Sequence, residues 1–221
     1  MDDQWTAVDR YFGDALLPSD RVLEAALDAS RAGGLPEINV APNQGALLQI
    51  LARAVGAKRI LEVGTLGGYS TIWLARALPK GGKLITLEVD RKHADVARAN
   101  FERAGLADVI ELRLGRAIDL LPKIAAEKLG PFDLTFIDAD KPGNADYFDW
   151  ALKLSRPGSL IIVDNVVRGG AVADSKSRDS SVTGVHRLVD RLAGEKRVMT
   201  TIIQTVGVKG YDGLAISVVL G

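Results

Sequence analysis

Short apolar runs alternate with longer amphipathic segments along most of the chain. Near-continuous apolar character indicates five buried strands, at 58–63, 83–88, 109–114, 132–137 and 159–163. Helical periodicity fills the intervals between them, at 67–78, 91–104, 117–128 and 145–155. Buried strands separated by helices are typical of a parallel sheet covered on both faces. The pattern therefore predicts an α/β fold of the doubly wound type.

The two ends of the chain depart from this alternation. A helix over 21–32 is predicted between Ser19-Asp20, as N-cap, and Gly33-Gly34; a second helix starts near Pro42. We expect these N-terminal helices, within residues 1–56, to pack on one domain that spans 1–221.

Beyond Asp164 the segment 168–183 is polar and rich in glycine, which predicts a long loop. A helix over 185–193 follows. Strands at 198–204 and 214–219, joined by a turn at Tyr211-Asp212-Gly213, predict an antiparallel hairpin at the C-terminal edge of the sheet.

Composition limits the classes of partner and chemistry. Lys plus Arg and Asp plus Glu both total 28, so the formal net charge is zero, and we expect neither nucleic acid nor membrane as a partner. The absence of cysteine excludes disulfides, a thiol nucleophile and a cysteine-ligated metal. No apolar run approaches the roughly 20 residues that span a bilayer, and the first ten residues do not resemble a signal peptide. We therefore expect a cytoplasmic protein.

The first chemical signal is the segment Leu61–Ser70, where the first strand meets its helix. Gly64 permits a tight turn, and Gly67 and Gly68 permit a ligand to approach the main chain. The free N–H groups of a helix N-terminus favour a carboxylate or phosphate, and Ser70 adds a hydroxyl there. In open α/β sheets this is the edge at which ligands bind.

The spacing of this loop argues against a dinucleotide. A G-x-G-x-x-G fingerprint would place its second glycine at Leu66, and Glu62 would repel a pyrophosphate. Glu62 instead suits an ammonium group, and Glu88, at the end of the second strand, suits ribose hydroxyls. Ammonium, carboxylate and ribose together describe S-adenosylmethionine (SAM). The alternative is that the glycines only form a turn and that Glu88 is a solvated strand end.

The second signal lies at the ends of the fourth and fifth strands. Asp138, Asp164 and Asn165 offer only oxygen ligands, which suits Mg²⁺ or Mn²⁺ rather than zinc. Lys141 lies beside them, and a lysine can act as a base when burial or a neighbouring cation favours its neutral form. The alternatives are a turn at Asp164-Asn165 and a surface salt bridge for Lys141. His93 is expected to face solvent, and His186 to be structural.

With these motifs the sequence resembles the cation-dependent O-methyltransferases, the family of catechol and caffeoyl-CoA O-methyltransferases. The resemblance runs from about Val40 to the C-terminus and is most specific at Leu61–Ser70, Phe136–Lys141 and Asp164-Asn165. It implies a Rossmann-like SAM-dependent methyltransferase sheet. Asp138-Ala139-Asp140-Lys141 is closer to the caffeoyl-CoA branch. Pro142-Gly143-Asn144, and Asn43 where an acidic residue is common, depart from that pattern.

The resemblance also implies roles for individual residues. Asp138, Asp164 and Asn165 would hold a divalent ion, Mg²⁺ or alternatively Mn²⁺ or Ca²⁺, and Lys141, with Asp138, would be catalytic. The residues implied to contact SAM are Val40, Glu62, Gly64, Thr65, Gly68, Ser70, Glu88, Val89, Ala117 and Asp138. Gly115-Arg116-Ala117 would face the adenine.

The sequence thus predicts a SAM- and cation-dependent O-methyltransferase that acts on a small aromatic acceptor, a catechol or a hydroxycinnamoyl compound. A non-catalytic SAM-binding protein and an NAD-linked dehydrogenase are the alternatives. The segment 5–17 carries six large apolar residues with no evident core partner, which predicts a homodimer.

Overall fold

The computed structural model describes residues 2–221, and its centre is a sheet of seven strands in the order β3-β2-β1-β4-β5-β7-β6. Strands β1 to β5 are mutually parallel, whereas β7 runs antiparallel to both β5 and β6. The strands are β1 (Arg59–Val63), β2 (Lys83–Glu88), β3 (Ile110–Leu114), β4 (Phe132–Ile137), β5 (Ser155–Asp164), β6 (Val198–Gly207) and β7 (Gly210–Val219). The predicted parallel sheet with an antiparallel C-terminal edge is confirmed.

Helices cover both faces of this sheet. They are α1 (Asp2–Leu16), α2 (Arg21–Ala32), α3 (Pro42–Ala54), α4 (Tyr69–Ala75), α5 (Arg91–Arg103), α6 (Ala117–Ala126), α7 (Asn144–Lys153) and α8 (Ser180–Ala193). Short 3-10 helices occupy Lys141–Gly143 and Arg168–Ala173. Among residues 2–221, no helix has both the length and the apolar content that a bilayer crossing requires.

Local signals explain where several helices begin. The side chain of Asp20 accepts hydrogen bonds from the first N–H groups of α2, and Asp90 and Asp179 do the same for α5 and α8. Such caps satisfy N–H groups that have no partner within the helix.

Strand alternation divides the core into two layers. Leu61 and Val63 belong to the layer beneath α6, α7 and α8, whereas Ile60 belongs to the layer beneath α2 to α5. Because successive strand residues point to opposite faces, fully apolar strands supply both layers at once. The result is a sheet packed on both faces, whose carboxyl edge carries the polar residues.

Three predicted boundaries near the C-terminus were wrong. β5 begins at Ser155 rather than at 159, and α8 begins at Ser180, so that a 3-10 helix and the first turn of α8 occupy part of the predicted loop. The hairpin turn lies at 208–209, and Tyr211, Asp212 and Gly213 are strand residues of β7.

Asp212 explains the misplaced turn. Its Oδ1 accepts hydrogen bonds from the backbone N–H groups of Val167, Arg168 and Gly213, at 2.9 Å in each case. This carboxylate therefore fixes the backbone that follows β5, a role that composition alone does not reveal.

Candidate active site

A cavity of about 750 Å³ lies beyond the carboxyl ends of β1, β2, β4 and β5. Most of the residues predicted from the sequence line it. They are Val40, Gly64, Thr65, Ser70, Glu88, Val89, Ala117, Asp138, Lys141 and Asn165. Both sequence signals therefore meet in one site, whereas Glu62, Gly68 and Asp164 lie outside its wall.

Glu62 is fully buried beneath the cavity. The hydroxyl of Ser70 donates to one of its carboxylate oxygens at 2.7 Å, and the hydroxyls of Thr71 and Thr86 donate to the other. Burial raises the pKa of Glu62 to about 7, although the three hydroxyls oppose that shift. Glu62 thus lies behind Ser70 and orients its side chain; the predicted contact of Glu62 with a ligand ammonium stays a prediction.

Gly68 has a packing role, and its predicted approach to a ligand stays a prediction. Its φ is +83°, and a Cβ there would collide with the ring of Phe101. Gly67 is similarly confined by the side chain of Ser30. These glycines let α4 lie close to α2 and α5, which fixes the position of the cavity floor.

Gly64 is confined by the neighbouring strand loop. Its φ is +102°, and a Cβ would collide with the main-chain carbonyl of Asp138. The N–H of Asp138 in turn donates to the carbonyl of Val63 at 2.8 Å. The predicted cofactor loop and the predicted metal residue are therefore held in direct backbone contact.

Glu88 connects two loops at the end of the cavity that lies over β2. One carboxylate oxygen accepts from the N–H groups of Thr65 and Leu66, and the other from those of Val89 and Asp90. Glu88 is only 6% exposed, so the alternative of a solvated strand end is wrong. His93, which we expected to face solvent, also lines the cavity, with Nδ1 3.6 Å from Glu88.

Asp138, Asp164 and Asn165 meet at the ends of β4 and β5. Asp164 is buried; its carboxylate accepts from the N–H of Asn165 at 2.7 Å and from the side-chain amide of Gln44 at 2.6 Å. Burial, followed by the negative charge of Asp138, raises the pKa of Asp164 well above its usual range. The positive charge of Lys141 opposes part of this shift.

These residues fit a hard divalent ion. Asn165, whose φ of +57° places it in the left-handed region, lines the cavity beside Asp138 and offers an amide oxygen. Among residues 2–221 there is no cluster of three or more His, Cys, Asp or Glu suited to a metal, so the third protein ligand would have to be this amide. An all-oxygen set of two carboxylates and one amide suits Mg²⁺ or Mn²⁺.

Lys141 lies beside this set. Its side chain is 9% exposed, and Nζ donates to Oδ1 of Asp138 at 2.9 Å, so the alternative of a surface salt bridge is wrong. The main chain of Lys141 packs against Gly184 of α8, where a Cβ would collide with the Lys141 carbonyl. This close packing fixes the main chain of Lys141 beside the cavity, and the bond to Asp138 orients its ammonium group.

Sequence reasoning missed several residues of the site. Gln44 and Tyr147 lie on α3 and α7, and Arg168 follows β5 by four residues. Tyr147 donates to Asp140 at 2.6 Å, and burial together with that carboxylate raises its pKa. The sequence did contain a signal for the partners of Glu62: a glutamate within an apolar strand is buried and needs hydrogen-bond donors nearby.

His186 is structural, as expected, with Nε2 2.8 Å from the carbonyl of Val172.

Comparisons with known proteins agree with this geometry. An O-methyltransferase family model matches residues 19–216. A catechol O-methyltransferase of Niastella koreensis is 54% identical over 213 residues, 96% of each chain. The crystal structure of an O-methyltransferase from Bacillus cereus in complex with S-adenosylhomocysteine (SAH) has a TM-score of 0.98 and 55% identity, covering 99% of this chain and 100% of that one.

A third similar protein is the O-methyltransferase TomG of Streptomyces achromogenes, solved with SAM. Its TM-score is 0.96 with 49% identity, and the match covers 100% of this chain and 99% of that chain. Two of these relatives carry SAM or its product. The family match, the near-complete alignments and the shared fold show that this chain belongs to the O-methyltransferase family and is a SAM-dependent enzyme.

Proposed function

We propose that this enzyme methylates a hydroxyl group of a catechol-like aromatic acceptor and that it requires a divalent cation. The observation that carries the proposal is the meeting of Asp138, Asp164 and Asn165 with Lys141 at one end of the SAM cavity. The similarity to a protein named catechol O-methyltransferase supports the same acceptor class. A hydroxycinnamoyl compound with two adjacent hydroxyls is a second acceptor of this chemistry.

The order of the strands supports one orientation of SAM within the cavity. Glu88, Val89 and Ala117 follow β2 and β3 at one side of the sheet, whereas Asp138 and Asn165 follow β4 and β5. We therefore place the adenosine over β2 and β3, with Glu88 towards the ribose. The methionine portion would lie above β1, in contact with Ser70, Gly64 and Val40. Thr65 would contact SAM between the adenosine and the methionine portion.

A bound divalent ion would lower the pKa of an acceptor hydroxyl and favour its ionised form. Asp138, Asp164 and Asn165 would hold that ion, and the buried amide of Gln44 would keep the carboxylate of Asp164 in place. Asp138 would therefore serve both the ion and the ion pair with Lys141. The cavity wall would hold the acceptor oxygen in line with the methyl group of SAM. This alignment would be the larger share of the protein's contribution to the rate of methyl transfer.

Lys141, in its neutral amine form, would accept the proton of the acceptor hydroxyl on the lone pair of Nζ. It lines the cavity, and its nearest acidic partner is a proposed ligand of the ion. An ion held by Asp138 would share the charge of that carboxylate and would weaken its pairing with Lys141. Its restricted exposure also keeps bulk water from competing for the proton.

Family membership and the SAM- or SAH-bound relatives disfavour both alternatives. An NAD-linked dehydrogenase would also need the missing G-x-G-x-x-G glycines. A SAM-binding protein without catalysis would not need the Lys141–Asp138 ion pair beside the oxygen ligands proposed for the divalent ion.

The decisive assay compares two isomeric acceptors, catechol and resorcinol, with labelled SAM and Mg²⁺. Only catechol has adjacent hydroxyls that can chelate one ion. We expect methyl transfer to catechol at least about 100-fold faster than to resorcinol, in the range that acid–base and alignment effects supply. Equal rates, or transfer to neither acceptor, would contradict the proposed acceptor class.

We further propose that two copies of the chain associate as a homodimer. α1 packs against β6 and leaves Val8, Tyr11, Phe12 and Leu16 exposed, while the edge strand β6 exposes Met199, Ile202, Ile203 and Val206. A combined apolar surface of this kind, next to an unpaired strand edge, is typical of a contact between proteins.

A further inference from the structure

We propose that Arg168 forms an anion subsite at the acceptor end of the cavity, so that the preferred acceptors are catechols bearing a carboxylate on the ring. This inference rests on the proposed function and names the acceptor class more narrowly. The observation behind it is a guanidinium that lines the same cavity as Asn165 and Lys141 and donates no hydrogen bond to residues 2–221.

The position of Arg168 in the fold assigns it to the acceptor. The cavity extends across the sheet from β3 and β2, through β1 and β4, to β5. Arg168 lies three residues beyond the proposed ion ligand Asn165, on the side away from Glu88 and Ala117. An acceptor whose two oxygens face the ion would therefore direct the rest of its ring towards this part of the wall.

Charge also distinguishes Arg168 from the other cations of the cavity. Lys141 is paired with Asp138, and Arg116 and His93 line the nucleoside end. The nearest carboxylate to Arg168 is Asp212, at 3.7 Å, which exceeds a hydrogen-bond length. The three backbone N–H groups bind Oδ1 of Asp212, whereas this long contact is to Oδ2. Arg168 therefore has a carboxylate nearby but no direct hydrogen bond to it, and its N–H donors remain available to a ligand.

The backbone keeps Arg168 in place. Its φ is +56°, an uncommon conformation for a residue with a side chain, and Asp212 fixes it through the N–H groups of residues 167 and 168. The side chain is 34% exposed, so a ligand can reach it without a rearrangement of the core. A planar guanidinium with five N–H donors is the side chain best suited to a carboxylate.

Two apolar residues of the same cavity suit the ring itself. Ile38 and Pro142 line the cavity, and Ile38 is 71% exposed although it is large and apolar. An aromatic ring that covered Ile38 would remove that surface from water. The acceptor described by these groups has adjacent hydroxyls at one end, a flat apolar middle and an anion at the other end.

The test compares 3,4-dihydroxybenzoate with 4-methylcatechol, which has the same diol and a neutral group in the same ring position. The two acceptors compete in one reaction with labelled SAM, and the ratio of their kcat/KM values is measured. This ratio does not depend on the fraction of active protein, so partial unfolding of a variant cannot mimic the result.

We expect the native enzyme to favour the carboxylate and Arg168→Gln to lower the ratio about 10-fold, the lower end for a lost charge-assisted hydrogen bond. Arg168→Lys, which keeps the charge but not the planar donor pair, should restore part of the ratio. Arg116→Gln is the matched control, since it removes a cation from the nucleoside end of the same cavity and should leave the ratio unchanged. The carboxylate of 3,4-dihydroxybenzoate also changes the acidity of its hydroxyls. This effect is the same for the native enzyme and the three variants, so it does not alter the comparison between them.

An unchanged ratio in Arg168→Gln would overturn the anion subsite, as would an equal loss in Arg116→Gln. Methylation of 4-methylcatechol without preference for the carboxylate would also overturn it while leaving the proposed function intact. Failure to methylate either acceptor would instead contradict the proposed function itself.

Discussion

At the scale of single residues, the active site depends on a few polar side chains that strand ends bring together. Asp138 and Lys141 were recognisable from the sequence because they directly follow an apolar strand. A charged residue at such a position is either exposed to solvent or part of a functional site. Glu62 and Gln44 were harder to assign, since their roles depend on which hydroxyl or carboxylate lies beside them. Thr86, which is in register with Glu62 across β1 and β2, supplies one such partner.

Lys141→Ala tests the proposed proton acceptor. We expect kcat to fall about 10²–10⁴-fold on catechol, because that is the usual contribution of a positioned base. The loss should be much smaller on 4-nitrocatechol, whose hydroxyl ionises without help. Initial rates on both acceptors measure this difference. An equal loss on the two would show that Lys141 only positions other groups.

Glu62→Gln tests the buried carboxylate through the pH dependence of stability. The pKa of Glu62 is raised to about 7 in the folded protein, so the folded state binds more protons than the unfolded state between pH 4.5 and 7. Its contribution therefore lowers the free energy of unfolding as pH rises through that window, by about 3 kcal/mol for a shift of this size. Other carboxylates titrate in both proteins, so the difference between them isolates Glu62.

Urea unfolding at pH 5 and pH 7.5 measures that difference. The native protein should lose more stability than Glu62→Gln between the two pH values. Parallel losses would mean that Glu62 ionises near its ordinary pKa and that its environment is more polar than the three hydroxyls suggest.

At the scale of elements, local signals explain the helices better than the C-terminal strands. α2 begins and ends where the sequence predicted, because Asp20 caps it and glycines follow it. β2 likewise matches at both ends. The hairpin turn was misplaced because Asp212 and Gly213 have turn-like composition, yet Asp212 satisfies N–H groups of a segment 45 residues away. No local pattern could reveal that partner.

Gly64→Ala tests the backbone contact between the loops that follow β1 and β4. The new Cβ would collide with the carbonyl of Asp138, and the positive φ of this position would add backbone strain. Gly158→Ala is the matched control, since Gly158 also has a positive φ, of 86°, but open space around it. We expect Gly64→Ala to be less stable than the control by about 1–3 kcal/mol, the usual cost of overpacking, and to bind SAM more weakly.

Chemical denaturation and calorimetric SAM titration measure these two effects. If both glycine variants were equally stable and only Gly64→Ala lost SAM affinity, the loop contact would serve the ligand alone. If neither property differed, the two loops would not be coupled in the way that the structure indicates.

At the scale of the whole molecule, we propose that residues 1–221 form one unit and that α1 links its catalytic edge to its dimer surface. Asp9 of α1 accepts hydrogen bonds from the side chain of Asn43, next to Gln44, and from the N–H of Val208 in the hairpin turn. The N-terminal helix is thereby joined to both α3 and the β6–β7 hairpin. Its apolar face was visible in the sequence, whereas its contact with β6 required the fold.

Phe12→Glu combined with Ile203→Glu tests the proposed dimer. Light scattering at micromolar concentration should give twice the 23.6 kDa chain mass for the native protein and one chain mass for the double variant. Val189→Glu, on α8 away from α1 and β6, is the control and should not change the mass. A monomeric native protein would contradict the proposal, as would a double variant that remains dimeric.

The most direct test of the central claim is the metal dependence of methyl transfer. Enzyme stripped of metal, with its residual content verified by elemental analysis, is assayed with labelled SAM and catechol in excess chelator and again after Mg²⁺ or Mn²⁺ is restored. The account predicts that transfer stops in the chelator and returns with the ion, and that Asp164→Ala needs a much higher ion concentration. Full activity of the metal-free native enzyme would contradict it.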